Sequence, residues 1–207
     1  WRTGSGIFGH GDPKKPTIKT QVSFGPDPEA KPITTYFRQN FTLPADLVEN
    51  QVTPVSFSSN FNDAIVIHLN GKELLRDNLP DGPITINTPA VSTVTPSTNT
   101  RRLEFFISSD QLIPGENTWA IEVHQANTAS DDLFFDFHYL IEVPGPNNQN
   151  TISVGSEFGK TQWSYFDEGI VPASNWTALE FDDSLWQTGE APLGYFTNDE
   201  SVNTFQT

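Results

Sequence analysis

Alternation of apolar and polar residues at period two constrains this chain more than any other feature. Its longest instance runs from Leu133 to Val143, with Leu133, Phe135, Phe137, Tyr139, Ile141 and Val143 on one face and Asp136, His138 and Glu142 on the other. Period two sends successive side chains to opposite sides of an extended backbone, so such a segment has one face for a core and one for water. The pattern recurs where Ile33, Thr35 and Phe37 oppose Thr34, Tyr36 and Arg38, and again at Ile65, Ile67 and Leu69. It returns at Leu103, Phe105 and Ile107, and at Trp119, Ile121 and Val123. Asn70-Gly71 favours the positive φ angles of a two-residue hairpin turn and predicts a return strand over Lys72 to Arg76. Pro28, Pro44, Pro80 with Gly82, Pro96, and Pro114 with Gly115 punctuate the strands, and no stretch carries three helical turns of apolar residues at 3.6 spacing. The expectation is an all-β chain, an antiparallel β-sandwich of jelly-roll type.

Composition narrows the functions open to such a fold. Eleven Lys+Arg against 26 Asp+Glu give a net charge of −15, which repels the polyanion of nucleic acid and an anionic membrane surface alike. No apolar run approaches the roughly 20 residues of a membrane span, so membrane insertion is not expected. The 16 Phe, 5 Trp and 4 Tyr are ample core material. The chain has no Cys, which removes disulfides, thiolate metal sites and cysteine nucleophiles. It also has no Met and starts at Trp1, and reads as a piece of something longer. Low Lys, abundant Thr, Asn and Ser, an acidic surface and the sequons at Asn40 and Asn175 fit an extracellular or cell-surface setting.

Pro144 to Asn150 holds two prolines and no apolar residue, and reads as a linker between a module at 1–143 and a differently textured segment at 151–207. An internal echo spans these parts. Trp1-Arg2-Thr3-Gly4, followed by Phe8-Gly9-His10, returns 185 residues later as Trp186-Gln187-Thr188-Gly189, followed by Leu193-Gly194-Tyr195. With one gap, Thr17 to Thr20 falls on Ser201 to Thr204. A repeat of that length fits one sandwich per unit, with 1–143 lacking its beginning and 151–207 supplying the beginning of the next or of a neighbouring module.

These segments together resemble the galactose-binding-like jelly roll of secreted bacterial hydrolases, β-galactosidase sugar-binding domains and multidomain surface proteins. The residues that carry the resemblance are Trp163-Ser164-Tyr165 through Pro172, Trp176, Phe181-Asp182-Asp183-Ser184, Trp186 and Ala191 to Tyr195, answered by Ile7 to Asp12 in the first copy. Ile33 to Arg38, Asp63 to Glu73, Leu112 to Gln125 and Ser130 to Asp136 continue it in permuted order. Asn62-Asp63-Ala64 departs from the family by lacking the glycine often found before the hairpin strand. The family serves as sugar binder, spacer and enzyme accessory, so the resemblance implies a fold more firmly than an activity.

The residues offer no enzyme. His10, His68, His124 and His138 have no metal-ligand spacing, and Gly4-Ser5-Gly6 lacks the nucleophile-elbow pattern. Asp131, Asp132, Asp182 and Asp183 are candidate hard-oxygen ligands for a structural calcium, which the resemblance also implies. Asp182-Asp183-Ser184 reads equally well as a turn, and Asp136 falls on the solvent face of its strand. Trp163, Tyr165, Trp176 and Trp186 invite sugar stacking, with core packing the heavier reading; Trp1, Trp163, Trp176 and Trp186 are candidate assembly or packing residues, and the repeated position of Trp1 and Trp186 suggests a packing role common to every module. The leading expectation is a non-catalytic structural module whose partners are copies of itself or adjacent modules, assembling head-to-tail by strand donation into a filament. The alternatives are a carbohydrate-binding module with glycan partners, or an accessory domain of a secreted, phosphoesterase-like hydrolase.

Overall fold

A computed structural model describes residues 18–27, 29–44, 55–94, 101–144, 151–156 and 159–196. Twelve strands follow in chain order: β1 Thr20–Gln21, β2 Thr34–Leu43, β3 Val55–Asn62, β4 Ala64–Leu69, β5 Lys72–Asp77, β6 Arg101–Ile107, β7 Gly115–His124, β8 Asp132–Pro144, β9 Thr151–Gly155, β10 Gln162–Phe166, β11 Gln187–Glu190 and β12 Leu193–Phe196. They form two six-stranded sheets. The first runs β1-β12-β8-β3-β6, and the second β11-β10-β2-β7-β4-β5. In the first sheet, one edge of β8 is shared end to end. β12 covers Asp132 to Phe135, β9 covers Leu140 to Pro144, and β3 lines the opposite edge. All pairings are antiparallel except β1 with β12. The expected antiparallel β-sandwich is the fold of the chain. No helix among the described residues is long and apolar enough to cross a membrane.

The alternating faces meet between the sheets. Phe37 of β2 stacks on Phe135 of β8 with ring centroids 4.3 Å apart. Trp119, Ile121 and Val123 of β7 and Ile65 and Ile67 of β4 are fully buried in the same core. Trp163 of β10 stands edge-on to Phe135 and Phe137, at 5.0 and 5.8 Å. The Asn70-Gly71 turn has φ values of 50° and 81°, and Asn70 secures it by accepting from Thr118 N at 2.9 Å through its side-chain oxygen. Two strands run longer than the alternation indicated. β2 continues past Arg38 to Leu43, and β5 reaches Asp77.

The segment after the sequence's linker is woven into both sheets. β9 pairs with β8, Thr151 opposite Pro144, so 145–150, outside the described residues, join two neighbouring antiparallel strands. β10 pairs with β2, and β12 with β8. Asp136 corrects one expectation. It is buried, not on a solvent face, because the turn after β9 folds over it and Gly159 N donates to its carboxylate at 3.2 Å.

Candidate functional site on the outer face of the second sheet

Strand register lays out this face row by row, since directly paired residues share a face. Phe166, Tyr36, Glu122, Val66 and Arg76 follow one another across β10, β2, β7, β4 and β5. The next row is Ser164, Arg38, Ala120, His68 and Glu73, and Thr34, His124 and Ala64 form a third. A sheet face of this polarity ordinarily meets water, yet Tyr36, Arg38 and His124 are buried. Two long connections cover them.

The connection from β10 to β11 lies over the β2 side. Arg38 holds it, donating to the carbonyl oxygens of Trp176 and of Phe181 (3.5 Å) and, through Nε, to Asp183 at 3.2 Å. The guanidinium also sits 5.1 Å from the Phe181 ring centroid, in cation–π contact. Burial pulls the Arg38 pKa down, and Asp183 opposes that pull. Above this anchor Trp176 meets Tyr36 edge-on at 4.9 Å and His68 at 5.7 Å. Trp186 stacks over Trp176 at 6.3 Å and touches Phe166 and Phe181 at 5.3 and 5.7 Å. Trp186, Phe166 and Phe181 are only partly buried.

The connection from β5 to β6 covers the other side. Thr34 Oγ1 donates to Ile86 O at 2.7 Å, and His124 Nδ1 lies 2.8 Å from Thr88 O. Ile86 packs against the Tyr36–Trp176 cluster from this direction. Between the two covers sits Glu122, its side chain 14% exposed, 3.2 Å from His124 Nε2. Burial, and then the charge of Glu122, push the Tyr36 hydroxyl up from its ordinary pKa. Burial pulls His68 down, with Glu122 opposing. The arrangement is a carboxylate acceptor, a phenol and an imidazole set under a partly open aromatic layer. Such a set can accept from and donate to hydroxyl groups while apolar ring faces cover the ligand's C–H surface.

The candidate residues named from sequence fall in separate places. Trp163 lies in the sandwich core, Trp176 and Trp186 belong to the outer aromatic layer, and Trp1 lies outside the described residues. Asp182 accepts from Ser184 N at 3.0 Å in a turn, and Asp183 binds Arg38. Asp132 lies at the start of β8, where Asn62 Nδ2 donates to it at 3.4 Å, with Asp131 beside it in sequence. No group of three or more His, Cys, Asp or Glu among the described residues is placed to hold a metal ion. Tyr36, Arg38, Glu122 and His124 stand at the polar positions of ordinary strands, so alternation alone assigns them no site. The available signal was the Trp-rich coil at 167–186, whose aromatics need a surface to cover.

No protein-family model matches the chain, and no curated protein matches it. Among solved structures, an α-L-rhamnosidase of Streptomyces avermitilis complexed with L-rhamnose matches 92% of the chain with TM-score 0.50 at 17% identity. A lectin of Pleurotus ostreatus matches 83% with TM-score 0.47 at 14% identity, and a family 78 rhamnosidase of Bacillus sp. GL1 matches 86% with TM-score 0.43 at 16% identity. The chain spans only 14% of the first of these proteins, 42% of the second and 18% of the third. The likeness is one of fold, a β-sandwich.

Proposed function

We propose that this chain is a non-catalytic carbohydrate-binding module of galactose-binding-like type, borne by a secreted or cell-surface protein. The observation that carries the reading is Glu122, a carboxylate left 14% exposed beside the fully buried His124 on the outer face of the second sheet. Tyr36 pairs with it across β2, His124 Nε2 lies 3.2 Å away and its charge acts on His68, while Trp176 packs on both Tyr36 and His68. Adjacent sugar hydroxyls donate to the carboxylate, and a pyranose ring lies against the indole layer. The fold neighbour that carries L-rhamnose supports a glycan-related setting, and a sandwich making up 14% of an enzyme chain supports an accessory role beside catalysis located elsewhere.

Glycan-array screening followed by calorimetry tests the proposal. Retention on one class of neutral glycan is expected, with Glu122→Gln weakening it at least tenfold (about 1.4 kcal/mol) and leaving the melting temperature in place. No retention on any glycan, or parental affinity in both Glu122→Gln and Trp186→Ala, overturns the assignment.

A further inference from the structure

Acceptors face both ring nitrogens of His124, which is wholly buried at the end of β7. Nδ1 lies 2.8 Å from Thr88 O, a main-chain oxygen of the connection from β5 to β6. A carbonyl oxygen only accepts, so Nδ1 carries a hydrogen. Thr34 Oγ1, 3.0 Å from the same nitrogen, gives its own hydrogen to Ile86 O at 2.7 Å and stands beside the ring as a further acceptor. On the far side, Nε2 lies 3.2 Å from Oε2 of Glu122. With Nδ1 protonated, a neutral imidazole turns its Nε2 lone pair toward the carboxylate. Two acceptors then face each other away from water, an arrangement that costs free energy and gains no hydrogen bond. A proton between Nε2 and Oε2 removes the conflict.

We infer that His124 and Glu122 hold one proton in common, and that His124 is the positioning residue for the carboxylate that meets a ligand on this face. The ligand's identity rests on the glycan-binding reading, whereas the proton does not. Sharing the proton leaves the pair with no net charge and ties down Oε2, so hydroxyl groups of a ligand meet the carboxylate at Oε1. Arg76 stands in the same cross-strand row, separated from Glu122 by Val66, and the charge of Glu122 acts on it. A carboxylate compensated in this way still accepts from neutral hydroxyl groups but gains little from an ammonium group. The ligand class is therefore a neutral sugar and not an amino sugar.

Long-range nitrogen–proton NMR of the histidine rings, with carbon NMR of the glutamate carboxyl groups, reads the proton with no ligand present. Expected is a hydrogen on Nδ1 and one further proton on either Nε2 or the Glu122 carboxyl group. A bare Nδ1, or a singly protonated ring beside an ionised Glu122, overturns the inference whatever any glycan does. Binding supplies a second reading. His124→Phe keeps a ring of similar size but offers Oε2 no donor, and is expected to weaken glycan retention by roughly tenfold. Added to Glu122→Gln it should cost nothing further, because both changes break the same contact, and strictly additive losses refute the positioning role. Among glycans of identical linkage that carry hydroxyl or amino at one ring carbon, tighter binding of the amino form refutes the neutral class. Absence of retention on every glycan overturns the glycan-binding reading alone, and the NMR result still decides the proton.

Discussion

Arg38 and Asp136 are two of the buried charged residues that hold connections against the sheets. Arg38 stands on the outer face of the second sheet, paired between Ser164 and Ala120. Its hydrogen bonds go to Trp176, Phe181 and Asp183, all in the connection that closes the second sheet. Removing one partner of a buried pair strands the other and typically costs about 3–5 kcal/mol. Arg38→Met is therefore expected to lower the melting temperature by on the order of 10 °C and to shift tryptophan emission to the red as Trp176 and Trp186 meet water. Unchanged emission would refute the anchoring role. Asp183→Asn should do less, because the two carbonyl acceptors remain. Asp136 acts through pH. Burial pushes its carboxyl up to about 6, against the opposing hydrogen bonds from Gly159 and Phe137 and the charge of Lys19. The unfolded chain titrates this group near ~3.9, so between about 4 and 6 the native state holds the extra proton and stability falls as pH rises. The loss is complete above about pH 6. Asp136→Asn keeps an acceptor for Gly159 N and removes the charge, and should stabilise the protein by about 1–3 kcal/mol at pH 7.5 with no gain at pH 4. Paired melts at the two pH values decide it, and a loss at pH 7.5 would contradict the sign.

Among the elements, the strands whose inner faces alternate cleanly were legible, and their covers were not. Phe135, Phe137 and Tyr139 on β8, and Trp119, Ile121 and Val123 on β7, declare a buried face by period alone, because burial on one side leaves a signature in every second residue. Asn70-Gly71 declared its hairpin because few other residue pairs tolerate both left-handed positions. The outer site had no such signature. Arg38 and Glu122 occupy positions that alternation assigns to solvent, and the coil that buries Arg38 lies more than 130 residues away in sequence. Asp136 was misplaced for the same reason, since its cover at Gly159 has no periodicity to read. The difference between core and cover predicts different responses to losing a tryptophan. Trp163→Ala removes a ring wedged between both sheets and should cost about 3–5 kcal/mol. Trp186→Ala removes a partly exposed ring from the outer layer and should cost less than half as much while weakening glycan retention. Denaturant melts of the two variants check the ranking, and equal losses would place Trp186 in the core.

At the scale of the molecule, the order of strands along the chain and their order in space are interleaved. β2 lies between β10 and β7, and β8 between β3 and the pair β9 and β12, so each sheet is completed by residues from 151 onward. Such closure depends on contacts very distant in sequence, which makes folding slow and leaves a shorter chain with exposed edges. Ending the chain at Pro144 would remove Trp163, Tyr165, Leu193 and Tyr195 from a core in which all four are buried. It would also unpair the flanks of β2 and β8 and uncover Tyr36 and Arg38. Main-chain N–H and C=O groups on two strand edges would then need new partners. The truncated chain 1–144 is expected to retain far-ultraviolet strand signal, lose near-ultraviolet aromatic structure, bind a hydrophobic dye and associate. Adding residues 151–207 as a separate polypeptide should restore the near-ultraviolet signal, because the pairing surfaces of β2 and β8 are set by strands already present in 1–144. A truncated chain with the aromatic spectrum and melting temperature of the parent would mean that the sandwich closes without its second part, and that β9 to β12 are a cover and not a component.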